Sequence, residues 1–160
     1  MPDQVSFVTP EGLKRIEQQL QELRTVRRPR IIQQLKEALE QASAQASPLE
    51  NPDYAVAKNE QAFIEGRIQQ LELILKTAVL IEEPGTHEVV SLGSKVTITE
   101  GSDGEPEHYH VVGSVEADPL HGYISNQSPL GRALMGHKVG DVVTVQAPDG
   151  EIEFYIQAVE

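Results

Sequence analysis

The chain contains no cysteine and no tryptophan, and aromatic residues make up only 4% of it. Without thiols there are no disulfides, no thiolate metal ligands and no cysteine nucleophile. No apolar run approaches the roughly 18 residues needed to cross a bilayer. Residues 1–13 lack a basic region followed by an apolar core, so neither a signal peptide nor membrane association is expected. The absences together fit a cytoplasmic protein.

Basic residues are scarce in one half only. Residues 1–82 hold ten Lys/Arg against twelve Asp/Glu, whereas residues 83–160 hold three against thirteen. The net charge of −12 therefore lies almost wholly in the carboxyl half, and this shift in composition suggests two units. Affinity for nucleic acid rests on Lys and Arg displacing counterions, which argues against the second unit gripping a phosphate backbone. Any role near nucleic acid is expected to run through a protein partner.

What is present begins with helical periodicity. Thr9 is placed to cap a helix with Pro10 in its first turn. Leu13, Ile16, Leu20 and Leu23 recur at spacings of three and four, and Ile31, Leu35, Ala38 and Ala42 resume the stripe. Pro29, set among Arg27, Arg28 and Arg30, is expected to kink or divide a helix, yet residues 10–45 still read as one roughly continuous helical arm. After a break rich in small residues and proline, Ala57, Gln61, Ile64, Ile68, Leu71 and Leu75 form a heptad seam with one polar position. The spacing predicts an antiparallel helical hairpin over residues 1–82 with its tip at about 43–54. At about 1.5 Å per residue its arm reaches on the order of 45–50 Å.

Residues 82–86 read as a linker, and beyond them the period becomes that of strands. Segments around Val96, Tyr109, Tyr123, Val142 and Ile152 alternate, and Pro148-Asp149-Gly150 marks a hairpin turn. Ser128 is placed to cap a short helix running from Pro129 to Met135. Residues 83–160 are thus expected to form an antiparallel sheet with one helix, and the whole chain an α+β protein.

The candidate site is the tip, Ser47-Pro48-Leu49-Glu50-Asn51-Pro52-Asp53-Tyr54. Two readings of Glu50 and Asp53 stand. Carboxylates three apart at a helix start share a face and suit Mg²⁺, a hard cation that takes oxygen ligands. Acidic residues also favour a first turn simply because they offset its positive end. Of the five histidines, His108 and His110 share a strand face while His87, His121 and His137 are scattered, with no convergence of the kind zinc requires. Arg27, Arg28 and Arg30 read either as a solvated helix face or as a contact for an acidic partner. With no phosphate loop and no nucleophile elbow, the chain shows no active site of its own and is not expected to be an enzyme.

Several motifs occur in a telling order. They are Val8-Thr9-Pro10-Glu11-Gly12-Leu13, Arg27-Arg28-Pro29-Arg30-Ile31-Ile32, Glu50-Asn51-Pro52-Asp53-Tyr54 and Gln61-Ala62-Phe63-Ile64-Glu65-Gly66-Arg67-Ile68. Ser128-Pro129-Leu130-Gly131-Arg132-Ala133-Leu134-Met135-Gly136, Val139-Gly140-Asp141 and Ala147-Pro148-Asp149-Gly150-Glu151 follow. Over essentially its whole length the chain resembles the bacterial Gre transcription elongation factors. The resemblance implies a coiled-coil hairpin joined to an FKBP-like domain that docks at the rim of the secondary channel of RNA polymerase. It implies docking through Gln127, Ser128, Pro129 and Leu130, and a tip that meets the polymerase's catalytic metal, Mg or Mn. The factor then has no cofactor of its own, touches nucleic acid only indirectly, and acts as a monomer.

The same resemblance places Glu50, Asn51, Asp53, Tyr54 and Lys58 at the polymerase active site, with Glu50 and Asp53 as transient ligands of the shared metal. Ser47 falls where cleavage-stimulating members carry a leading Asp, and the segment from Ser43 to Ala46 lengthens the tip. A hydroxyl does not replace an ionised carboxylate on Mg²⁺, and losing one such ligand costs on the order of 10²–10³ in rate. The chain is therefore closest in character to the non-cleaving anti-Gre, or Gfh, homologues, which pause or inhibit transcription. The alternative is a Gre-type factor that stimulates cleavage of backtracked RNA through Glu50 and Asp53. Two further classes are a prolyl isomerase, disfavoured by the shortage of aromatics, and a coiled-coil protein that self-associates.

Overall fold

The computed structural model describes residues 5–42, 51–82 and 88–160. They divide into two compact units. One is the continuous stretch Leu13–Lys76; the other runs to Gly12 and resumes at Thr77.

The first unit is helical. Helix α1 (Pro10–Glu22) passes through a π-helical turn, Leu23–Arg27, into α2 (Arg28–Ala42), and α3 (Pro52–Thr77) returns. Ile16, Leu20, Ile31, Leu35 and Ala38 are buried, as are Ala57, Ile64, Ile68 and Leu71 on α3. Gln61 and Leu75, the other members of the expected seam, are half-buried. Each buried Leu or Ile side chain contributes about 1.5–3 kcal/mol, so this seam rather than helix propensity holds the arms together. Ion pairs cross it: Arg28 grips Glu65 with two bonds of 2.7 Å, Arg24 pairs with Glu72, and Arg27 lies 3.6 Å from Glu60.

Pro29 does not break the run: α1, the π-helical turn and α2 follow one another without interruption to Ala42, in keeping with one roughly continuous arm. The preceding turn widens instead, with the Arg28 N–H donating to Leu23 O. The wider turn tolerates the missing proline donor and the bulk of its ring. The Thr25 hydroxyl donates to Gln21 O at 2.8 Å and supplies a bond to a carbonyl in this irregular stretch.

The second unit is built on strands. β1 (Ser6–Val8) and β2 (Ala78–Leu80) pair in parallel, Phe7 opposite Val79. Neither strand is evident in the sequence, where three-residue apolar runs have no readable period. Their pairing explains why the compact units do not divide at residue 82: the segments flanking the helical stretch belong with the sheet. Strands β3 (Lys95–Glu100), β4 (Pro106–Val112), β5 (Tyr123–Ser125), β6 (Val142–Ala147) and β7 (Gly150–Val159) form a second sheet in the order β5-β4-β3-β7-β6. The expectation of a purely antiparallel sheet is corrected at one pair, because β5 runs parallel to β4. The chain crosses over between them through two 3₁₀ turns, Ser114–Glu116 and Pro119–His121, rather than a tight hairpin. Helix α4 (Pro129–Leu134) sets Leu134 into a core with Val96, Ile98, Val111, Phe154 and Ile156.

The start of α1 is tied to the crossover. Thr9 Oγ1 accepts from the Gly12 N–H at 3.0 Å, which confirms the expected cap. Thr9 in turn donates its N–H and hydroxyl to the two oxygens of Glu116, at 2.6 and 2.7 Å. A Cβ at position 12 would stand 1.8 Å from Glu116 Oε1, so only glycine leaves room for this carboxylate. Gly12→Ala is expected to expel Glu116 and destabilise the protein by about 1–3 kcal/mol, read by denaturant unfolding; Glu116→Ala should cost a similar amount.

His110 is half-buried, with Nε2 3.1 Å from Gly93 O and its ring tilted against Tyr123. Burial pushes its pKa down and Lys95 adds to this, while the Gly93 carbonyl, Glu116 and Glu11 act in the opposite direction. Its contribution is thus complete above the unfolded value of about 6.5 and declines as pH falls towards the lower folded value. Melting temperatures across that window should fall with pH, and the His110→Gln variant should show a flatter profile.

Candidate functional site

At the tip, Asn51 opens α3 in the manner of an N-cap. Its Oδ1 accepts from the Asp53 N–H at 3.0 Å, and its backbone carbonyl accepts from the Ala55 N–H at 3.2 Å. Pro52 follows as the first helical residue, where its missing donor costs nothing. The Asn51 Nδ2 donates to Ala38 O at 3.3 Å, so one side chain both caps α3 and joins it to α2. Asp53 is thereby held in the first turn with its side chain exposed.

Tyr54 lies one helical turn before Lys58, whose Nζ is 5.9 Å from the ring centroid and 3.4 Å from Gln61 Oε1. This is cation–π geometry on a helix face. Ser47 and Glu50, the two other tip residues singled out from the sequence, lie outside the described residues.

Asp53 also borders an open groove of about 280 Å³ between α2 and α3. Glu37 and Glu60 line the same groove, with Gln34, Gln41 and Val56. Sequence reasoning missed these two carboxylates, although each sits beside a seam position, Glu37 before Ala38 and Glu60 three residues after Ala57. No group of three or more His, Cys, Asp or Glu converges into a metal site among the described residues.

The second candidate segment, residues 127–130, joins β5 to α4. Ser128 caps α4: its Oγ accepts from the Gly131 N–H at 3.1 Å and donates to Ser125 O at 2.6 Å. The Gln127 N–H donates to Ser125 Oγ at 3.0 Å. A Cβ on residue 131 would come within 1.9 Å of Ser125 O, which explains the glycine after Ser-Pro-Leu. The turn presents Gln127 and Pro129 outward, while Leu130 packs against the core.

The remaining candidates are engaged within the fold. His108 Nδ1 lies 3.0 Å from Thr97 Oγ1, His121 pairs with Asp118 and His137 with Asp141. His87 lies outside the described residues. Of the arginine cluster, Arg27 and Arg28 face Glu60 and Glu65 of the same hairpin, and Arg30 is exposed. Replacing Asn51 with Ala should remove both the cap and the tie to Ala38. The expected loss is about 0.5–2 kcal/mol in thermal unfolding, with increased amide exchange in the first turn of α3.

The chain matches two family models in succession. Residues 6–80 match the N-terminal domain of transcription elongation factors, and residues 85–160 match the C-terminal domain of GreA/GreB transcription elongation factors. It is 47% identical to transcription elongation factor GreA of Geobacillus kaustophilus, covering 96% of this chain and 95% of that one. It is 44% identical to GreA of Limosilactobacillus fermentum over the full length of both. Among solved structures, GreA factor homolog 1 (Gfh1) of Thermus thermophilus shares 38% identity, covering 98% of this chain and 99% of that one, with a TM-score of 0.44. Both halves and nearly every residue thus fall within one family, and the chain belongs to the GreA/GreB transcription elongation factors.

Proposed function

We propose that this factor binds bacterial RNA polymerase at the secondary channel through the turn at residues 127–130. Its hairpin tip then reaches the polymerase's catalytic metal, and it pauses or inhibits transcription without stimulating RNA cleavage. The observation that carries the second part is Ser47. It stands where the resemblance calls for a leading carboxylate, while Glu50, Asn51, Asp53 and Tyr54 keep their places.

The metal supplies the chemistry of phosphodiester hydrolysis, and the factor offers it oxygen ligands. Glu50 and Asp53 remain suitable donors, but Ser47 contributes no negative charge. Asn51 supports the reading differently, since its cap and its bond to Ala38 fix where Asp53 is presented. A monomer acting from the cytoplasm fits this role. Among the described residues, no helix is long and apolar enough to cross a membrane.

A second reading, stimulation of cleavage through Glu50 and Asp53, is favoured by one finding. The relatives named GreA share 47% and 44% identity with the chain over nearly its whole length.

One assay separates the two readings: add the factor to backtracked elongation complexes with Mg²⁺ and follow the 3′ end of the RNA. The expected outcome is slowed extension with no cleavage above the polymerase's own rate, relieved by Glu50→Ala or Asp53→Ala. Rapid cleavage that disappears in Glu50→Ala would establish the second reading instead. Ser47→Asp should raise cleavage by about 10²-fold if the missing carboxylate is what limits it.

A further inference from the structure

Among the described residues, no strand pairs with the outer side of β6, which forms one edge of the five-stranded sheet. β6 is six residues long and contains neither a charge nor a proline, two devices that commonly protect exposed edges. The opposite edge, β5, is only three residues long.

The register shows which backbone groups of β6 face outward. The Gly140 N–H donates to Ile156 O at 2.9 Å, and the Ile156 N–H donates to Asp141 O at 3.0 Å. With φ of +92° at Gly140, this is a glycine-first bulge, after which regular alternation resumes. Asp141 therefore faces β7, as do Val143 and Val145, in register with Phe154 and Ile152. Val142, Thr144 and Gln146 direct their N–H and C=O groups to the open side, and their side chains are exposed. Such a row is a template for main-chain bonding to an extended segment.

Charge complementarity selects the segment. Thr144 is in register with Glu153, and Gln146 with Glu151, so two successive rows on the exposed face carry a carboxylate. Gln146 Nε2 donates to Glu151 Oε1 at 2.7 Å. A strand added to β6 would lie two strand spacings, about 10 Å, from these glutamates. That gap is within the combined reach of a lysine or arginine and a glutamate. Because the rows are two residues apart, the matching cations fall at alternate positions. A second copy of this chain would present the same uncharged edge and bring its own surplus of carboxylates.

We infer that the β6 edge binds, by strand addition, an extended peptide segment carrying lysine or arginine at alternate positions. This inference does not depend on how the tip acts.

The test uses the full chain and a peptide of alternating lysine and threonine, with alternating glutamate and threonine as the control. Binding of the lysine peptide should slow amide exchange at Val142, Thr144 and Gln146 by about tenfold or more, and leave Val143 and Val145 little changed. Thr144→Pro removes an outward N–H without removing a bond to β7 and should weaken binding about tenfold. Glu153→Lys should weaken it too. If Thr144→Pro unfolds, the exchange pattern of the unsubstituted protein decides. Three results overturn the proposal: no binding, binding without protection of the outward amides, or protection that arises from self-association at high protein concentration.

Discussion

The parallel pairing of β1 with β2 is the constraint on which the other features rest. These strands flank the helical stretch in sequence, so their register fixes where α1 begins and α3 ends. Closing a loop of that length carries a conformational cost that grows slowly with its size. Two three-residue strands do not meet it alone. Val8 is fully buried and its carbonyl accepts from the Ile81 N–H at 2.8 Å, while Ser6 and Thr77 join through their hydroxyls. Glu116 adds a carboxylate that bonds to Thr9 twice, at the end of a helix whose dipole favours negative charge. The small size of Gly12 makes that bond possible.

The hairpin seam was legible in the sequence because its period is long and repeated. Ala57, Ile64, Ile68 and Leu71 are buried at the spacings that identified them. The cap at Thr9, the helix after Ser128 and the turn at Pro148-Asp149 were legible for a different reason, since each depends on the local chemistry of a few residues. What escaped was non-local. The parallel pairing of β5 with β4 depends on a crossover with no periodic signature. The bidentate contact of Glu116 with Thr9 joins residues 107 positions apart. Pro29 illustrates a third limit. Its effect on hydrogen bonding was readable, but the response, a wider turn ahead of it, has no signature in the spacing of the apolar residues.

At the candidate site the division is similar. Asn51 was singled out through its motif, and the structure gives it a physical task as a cap with a second bond to Ala38. Glu37 and Glu60 became visible only once α2 and α3 lay side by side around the groove. Within the turn at residues 127–130 the structure separates two kinds of residue. Gln127 and Pro129 are presented to solvent, whereas Ser128, Leu130 and Gly131 hold the turn in shape.

The chain folds its sheet unit from two separated pieces, with Leu13–Lys76 between them. The helical arm is therefore an insertion, and its natural limits are Gly12 and Thr77 rather than any linker further along. A fragment cut at residue 82 carries both short strands away from the sheet unit that contains their partners. A cassette exchanged between Gly12 and Thr77 would leave those strands, Glu116 and the turn at residues 127–130 in place. A change confined to the tip thus leaves the residues that hold the arm untouched.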